Sequence, residues 1–434
     1  MLDTYGLSYA PVDYHWQVGS ITKTQGWIIH LTVIDGQVLK LLHLVIPELL
    51  KDHLPFKIIR NPGTLSSLLQ GALGYPSLGK VVSIYPEEDH LALNIANKLI
   101  KITAAFRGPA IPTDRHLGAI VYTRYGSFAP TLIKNAKGEW IKHIHDAAGH
   151  LIKDPYHIPF QMPDGVPWPF QTITSPMPPP ARKLLNYSYY PLFTLKPDVK
   201  GTVLKALYFK KPWLIKSCII KQGRHDMLVD QYGRDIRDRL KWQYKLFLEL
   251  HEDIPMPEVF DCFTEDNDTY LAMAYIKGIS LTNWILDKAR SQCWRHLTMA
   301  QRQQFIDMLL KILHIVDRIH TKGFVHRDIT PDNFLIDRYG NVFLIDMELA
   351  WSLGDDGSNP PFALGTPGHM SPEQSAWLTP TIAQDIFSIG SLMITFFTSL
   401  HAIKLKGQPP SALQKSLNFF TREPNLAKCI ADCW

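Results

Sequence analysis

The sequence predicts two mixed α+β units in series, and three observations carry that prediction. The chain has 434 residues, beyond the roughly 250 to 300 at which a single hydrophobic core stops growing. Its first part alternates short β-rich runs with one amphipathic helix, an α+β pattern. After a stretch dense in proline, a second series of strand-like runs gives way to long helices.

In the first unit the strand-like runs are Gly26 to Ile34, Lys80 to Tyr85 and Ala119 to Tyr125. The helix covers Glu87 to Phe106, where Leu91, Ile95, Leu99, Ile102 and Phe106 recur at spacings of three and four. Lys98 and Lys101 fall elsewhere on the wheel, so one face is expected to pack on a sheet. Nine prolines lie between Pro155 and Pro180, too many for a helix or a central strand. That segment is read as extended, ending a first domain of residues 1–183 near Ala181 to Asn186. The second domain, residues 184–434, is expected to have an N-lobe to about residue 276 and a C-lobe from about 277. It begins with strands, includes a charged helix around Asp235 to Leu250, and shows no internal repeat.

Composition narrows the function classes. Apolar residues make up 46% and charged residues 20%, ordinary for a globular protein with a sizeable core. The net charge is +5 and no Lys/Arg run forms an arm, so nucleic acid is not an expected partner. The five cysteines are scattered without Cys-x-x-Cys spacing, which argues for a reducing cytoplasm rather than a disulfide framework or a zinc site. No secretory signal opens the chain. Ile386 to Ile403 is interrupted by Ser388, Gly390, Ser391, Ser399 and His401, and reads as a buried helix rather than a membrane span.

The most specific pattern runs from Gly323 to Glu348. His326-Arg327-Asp328 is followed by Asn333, then by a strand Phe334 to Ile336, a turn Tyr339-Gly340-Asn341, a second strand Val342 to Ile345, and Asp346. This block resembles the catalytic loop and metal-binding aspartate of protein kinases. It implies a two-lobed kinase fold in which Asp328 orients the substrate hydroxyl while Asn333 and Asp346 hold Mg2+. Gly365 to Glu373 resembles the end of an activation segment, and Asp385 the buried aspartate that ties the catalytic loop to the next helix. Upstream, Lys216 in Trp213-Leu214-Ile215-Lys216 is expected to grip the α- and β-phosphates of ATP or GTP, with Lys205, Lys210, Lys211 and Lys221 as rivals. Ala274 and Ile276 would offer backbone groups to the base.

Three departures qualify the resemblance. Met347 and Glu348 replace the last two residues of Asp-Phe-Gly. The glycine-rich loop is reduced to Gly201, which offers fewer bare amides to phosphate. Gln243 stands where a glutamate usually pairs the strand lysine. Since Lys216, Asp328, Asn333 and Asp346 are all present, an active enzyme is favoured over a pseudokinase scaffold.

The first domain offers scattered cations: Lys57, Lys80, Arg115 and Arg124. Read alone they are a solvated surface, although alternate residues of a strand share a face and a convergent anion site is conceivable. Together, Pro55-Phe56-Lys57, Gly79-Lys80 with Ile84-Tyr85-Pro86, Ile111-Pro112-Thr113-Asp114-Arg115 and Arg124-Tyr125-Gly126, ahead of a kinase-like domain, resemble the class III lanthipeptide synthetases. In that family a phosphoserine/phosphothreonine lyase domain precedes a Ser/Thr kinase domain and a cyclase-like domain. Only the first two fit residues 1–434, and Cys429 to Trp434 resembles the middle of a late kinase helix, as if the chain stopped short of the cyclase.

The resemblance implies phosphorylation of Ser or Thr in a precursor peptide carrying a leader segment, then elimination of phosphate to dehydroalanine or dehydrobutyrine. Lys80 would be the base, neutral through neighbouring cations. Lys57, Arg115 and Arg124 would hold the phosphate. Related lyases use a histidine two residues after the Lys57-type lysine, but Ile59 stands there, so the phosphate leaves unaided or with help from Tyr125. The rival readings are a Ser/Thr kinase with a regulatory or docking N-terminal domain, and a non-catalytic scaffold.

Overall fold

The computed structural model describes residues 2–129, 131–136, 138–146, 148–154, 156–162, 164–173, 184–211, 214–290, 292–355 and 359–434. Trp213, much of the proline-rich run and residues 181–183 of the expected boundary lie outside the described residues.

The first unit is built on a seven-stranded antiparallel sheet: β1 Tyr9–Val12, β2 His15–Val18, β3 Gln25–Leu31, β4 Phe56–Ile59, β5 Val82–Ile84, β6 Arg115–Gly118 and β7 Val121–Ser127. The spatial order is β1-β2-β4-β5-β3-β7-β6. One face is apolar, with Ile29, Leu31, Phe56, Val82 and Ile84 fully buried against α1 Val38–Lys51 and α3 Asp89–Ile102. The short α2 Pro62–Leu69 lies between them in sequence and starts with an Asn61 cap on Thr64. The periodicity of Leu91 to Phe106 anticipates α3, whereas α1, which contains Pro47, is an element not read from the sequence.

The opposite face of this sheet is polar. Cross-strand partners share a face, and the register sets His116, Tyr122, His30, Ser83, Lys57 and Gln17 in one row across six strands. Strands β8 Thr131–Lys134, β9 Trp140–His145 and β10 Leu151–Lys153 form a second, three-stranded sheet whose end reaches that face through Asp154.

The second unit has two lobes. Its five-stranded antiparallel sheet runs β11-β12-β13-β15-β14, from β11 Tyr189–Lys196, β12 Val203–Lys211, β13 Leu214–Gly223, β14 Val259–Glu265 and β15 Asp268–Ala274. The helix α4 Ile236–Leu250 packs on it and begins with a capping box made by Asp235 and Asp238. The other lobe is helical around α5 Leu281–Ala289, α6 Met299–Thr321 and α8 Ile382–Thr398, with α7 Pro372–Ser375 before α8 and with α9 Pro410–Thr421 and α10 Pro424–Cys433 closing the chain. Short strands β16 Gly278–Ser280, β17 Phe324–Val325, β18 Phe334–Asp337, β19 Val342–Leu344 and β20 Trp351–Ser352 carry the loops between them. Helix α8 sits in the large core with Ile389, Leu392, Met393 and Phe396, as expected of a buried helix.

The units touch. Leu78 of the first buries with Met227 and Ile236 of the second, and Arg107 faces Asp226 at 3.6 Å. Gly71, at φ +77°, lies under Val199: a Cβ there would stand 2.6 Å from both Val199 methyls.

Candidate functional site

The loop between β17 and β18 carries the kinase-type constellation. Asp385 on α8 accepts hydrogen bonds from the main-chain N–H of His326 (2.8 Å) and Arg327 (2.7 Å), which fixes the loop from beneath. Arg327 takes φ +66°, a strained conformation for a side-chain-bearing residue. Asp328 Oδ2 accepts from Asn333 Nδ2 at 3.0 Å, and its Oδ1 accepts from Thr366 Oγ1 at 2.7 Å. Burial raises the Asp328 carboxyl above its ordinary value. His326 Nε2 donates to the carbonyl of Asp346 at 2.8 Å, joining the loop to the segment after β19.

Asp346 is half-buried, and against that desolvation Lys221 and Lys200 hold its carboxyl below the ordinary range. Lys221 Nζ lies 2.9 Å from Asp346 Oδ2, 3.1 Å from the Ile345 carbonyl and 3.4 Å from Gln243 Oε1. This corrects the expectation for Lys216. The odd-numbered residues of β13, Ile219 and Lys221, face α4 and the cleft, whereas Lys216 shares the other face with Cys218 and Ile220. There it pairs with Glu258 at 3.0 Å, partly in solvent. Gln243 is fully buried and bonds the same carbonyl as Lys221, so it stands beside the strand lysine as a neutral partner.

Gly201, in the loop between β11 and β12, has φ +153°, and a Cβ would meet the Gln222 carbonyl at 1.7 Å, so only glycine fits. The preceding Lys200 donates to Glu348 Oε1 at 2.8 Å. Despite burial, Glu348 and Asp346 hold the Lys200 ammonium above lysine's ordinary value. At the hinge the Ala274 N–H bonds the Glu258 carbonyl at 2.8 Å, and Ile276 follows β15 in the turn toward β16. Both donor bonds of Asn333 come from Nδ2, so its Oδ1, with the carboxylate of Asp346, is the atom available to a hard cation. Among the described residues no group of three or more His, Cys, Asp and Glu is arranged to hold a metal by itself.

The polar face of the first sheet holds the second constellation. Lys80, 6% exposed, donates to Asp114 Oδ1 at 2.9 Å, while His30 Nδ1 lies 2.5 Å from Asp114 Oδ2. Burial drives the Lys80 ammonium down to about 8, with Asp114 opposing and Arg124 adding to the fall. The same burial takes His30 to about 4. Against its own burial, Lys80 and His30 keep the Asp114 carboxyl well below the usual range. Arg124 is buried and bonded to Asp154, and both Arg124 (3.9 Å) and Lys80 (5.4 Å) lie over the ring of Tyr156. Lys57 stands 4.8 Å over the ring of Tyr85, its ammonium lowered by burial and by Lys142.

The register puts Lys57 and Arg124 on one face, Tyr156 joins Lys80 to Arg124 there, and the register separates two others from them. Arg115 pairs with Thr123, and Tyr125 with Trp27, one residue out of phase with Arg124. Both therefore belong to the opposite face, where Tyr125 packs edge-on against Trp27 and accepts from Gln25 Nε2 at 3.1 Å. A one-residue step in a strand reverses the side chain's direction. Neither is available as phosphate ligand or acid. The sequence reading missed His15, His30, Asp114, Asp154 and Tyr156. Asp114 stood within a quoted motif, where an acidic residue among expected phosphate-binding cations was its signal.

Comparison with known proteins fits this division. The family described as RamC, N-terminal domain matches residues 13–180, and that described as protein kinase domain matches residues 246–420. Serine/threonine-protein kinase C of Synechocystis sp. is 30% identical over 224 residues, covering 50% of this chain and 40% of the relative. Serine/threonine-protein kinase PknA of Nostoc sp. is 24% identical over 204 residues, 45% of this chain and 34% of the relative. PknD of Chlamydia caviae is 26% identical over 244 residues, 51% and 25%. The chain thus spans 40% or less of the length of these relatives. The second unit is a protein kinase domain, a class that uses ATP with Mg2+, and a RamC-type domain ahead of it fits the architecture of class III lanthipeptide synthetases. Among the described residues no helix is long and apolar enough to cross a membrane.

Proposed function

We propose that this chain dehydrates Ser and Thr in a ribosomal precursor peptide, by phosphorylation in the kinase domain and β-elimination on the polar face of the first sheet. The observation that carries the second step is the buried Lys80 beside Asp114, with Lys57 and Arg124 on the same face of a RamC-type domain. A sheet face that collects three cations and lowers one lysine to about 8 suits the removal of an α-proton next to a phosphate dianion.

For the first step, ATP would supply the γ-phosphoryl group, and Asn333 and Asp346 would hold a Mg2+ ion that offsets the charge of the phosphate oxygens. Asp328, fixed by Thr366 and Asn333, accepts the hydroxyl proton of the substrate. Lys221 takes the α- and β-phosphates, and Lys200 adds a cation where the loop has one glycine. The hinge groups of Ala274 and Ile276 meet the base. Lys221→Met is expected to lower phosphorylation by about 10²-fold or more, whereas Lys216→Met stays within about threefold of wild type. Radiolabel transfer to peptide measures both.

In the second step, neutral Lys80 takes the α-proton, the electron pair forms the Cα=Cβ bond, and the Cβ–O bond breaks. Lys57 and Arg124 hold the leaving phosphate. Precursor binding through a leader and ring closure by a cyclase-like domain belong to the same proposal. The test is mass spectrometry of a cognate Ser/Thr peptide incubated with ATP and Mg2+: loss of water supports the reading. Stable phosphate alone supports a kinase with a docking N-terminal domain.

The depressed Lys80 also has a direct check. In protein labelled with [15N]-lysine side chains, one Nζ resonance should titrate near pH 8, protonated below and neutral above, and vanish in Lys80→Arg. At pH 7.5 such a lysine is about one-quarter neutral, against about 0.1% for an ordinary one. A Lys80 midpoint above about 10 would contradict its role as base.

A further inference from the structure

Breaking the Cβ–O bond of a phosphate monoester dianion would release a trianion, so the departing oxygen needs a proton to leave as hydrogen phosphate, and the face around Lys57 offers few donors. His30 is committed to Asp114. Tyr85 and Tyr156 have their hydroxyls pushed up by burial, which makes them weak acids. Tyr125 is on the other side of the sheet.

His15 is different. It lies in β2 directly across from Ile59 of β4, two residues from Gln17, which faces Lys57. Its side chain therefore shares the face of Lys57, Ser83 and His30. Its Nε2 is enclosed and has no hydrogen-bond partner among the described residues, while the ring also meets the main chain of Lys80. An enclosed polar nitrogen without a partner is costly unless a ligand completes it. The charged groups facing it are Lys57 from β4, Lys142 from β9 and Asp13 from the β1–β2 turn.

We propose that His15 is the acid that protonates the departing phosphate, an assignment that rests on the elimination reading above. As Lys80 removes the α-proton and the Cβ–O bond breaks, the Nε2–H bond of the imidazolium breaks and an O–H bond forms on phosphate. Water restores the proton. Burial, Lys57 and Lys142 lower the ring's affinity for a proton. A bound phosphate dianion reverses that balance, since opposite charge favours imidazolium. The acid is thus charged when substrate is present.

The experiment supplies the full chain with a synthetic phosphoserine peptide and no nucleotide, so that elimination is read apart from phosphorylation. His15→Gln and His15→Ala should lower kcat for release of inorganic phosphate by about 10²-fold or more, with KM within about threefold, because Lys57 and Arg124 still hold the phosphate. Ile59→His placed in the His15→Ala chain returns an imidazole to the cross-strand position and should recover at least tenfold. Release at the wild-type rate by both single variants overturns the assignment, and so does a loss confined to KM. If the wild-type chain releases no phosphate, the elimination reading itself fails and His15 with it.

Discussion

Asp346→Asn is expected to leave a cognate peptide at its unmodified mass, with phosphorylation lower by on the order of 10³-fold or more. The substitution keeps the shape of the residue and removes the charge. Asp346 receives Lys221 at 2.9 Å and the Glu348 N–H at 3.1 Å, so its carboxylate organises the strand lysine and the segment after β19 together. It is also the proposed anionic ligand of the metal. Loss of both functions stops the sequence before a leaving group exists, so neither phosphate nor dehydrated residue should appear. Given a peptide already phosphorylated, the same variant should eliminate at the wild-type rate. Dehydration of an unphosphorylated peptide by Asp346→Asn would remove this domain from the reaction.

Lys80→Arg is expected to give the complementary result: phosphorylated peptide accumulates, and elimination falls by about 10²- to 10⁴-fold. Arginine is the more instructive replacement. Lys80→Ala would leave buried Asp114 with only the His30 ring and the Thr113 hydroxyl as side-chain partners among the described residues and no fixed positive charge beside it, and an uncompensated buried charge costs about 3–5 kcal/mol. Arginine preserves the positive charge beside Asp114 but stays protonated at any accessible pH, so the fold keeps its ion pair and the reaction loses its base. Mass spectrometry with ATP present distinguishes the outcomes in one spectrum. Continued loss of water in Lys80→Arg would transfer the base role elsewhere, with His30, which shares Asp114 with Lys80, as a candidate.

The two constellations were unequally legible. Asp328, Asn333 and Asp346 lie within one short stretch whose spacing is itself the motif, so local sequence sufficed. Lys216 and Lys221 sit on one strand five residues apart, and choosing between them needs the strand's phase, which depends on what packs against each face. The face that Cys218 and Ile220 bury turns Lys216 outward. In the first domain the cations Lys57, Lys80 and Arg124 were reachable through a family pattern, but Arg115 and Tyr125 carried the same pattern onto the wrong face, because a strand's register is set by its neighbours. Tyr156 and Asp154 come to the site from beyond β10, and His15 from the chain's start; nothing local announces them. Helix α1 was hidden by Pro47, whose ring is tolerated because Leu41, Leu42, Val45 and Leu49 bury a continuous stripe around it.

The contact between Gly71 and Val199 has a bearing on how such enzymes can be taken apart. Val199 belongs to the β11–β12 loop that also holds Gly201, so the first domain acts as a splint on a loop of its neighbour. Cutting the chain within the proline-rich run would uncover Leu78, Met227 and Ile236 and release that splint. A kinase half expressed by itself would carry a sticky surface and a loosened loop, and the first domain transplanted onto another kinase would need a residue matching Val199 for Gly71 to receive. The halves are better exchanged as a pair than dealt as separate modules.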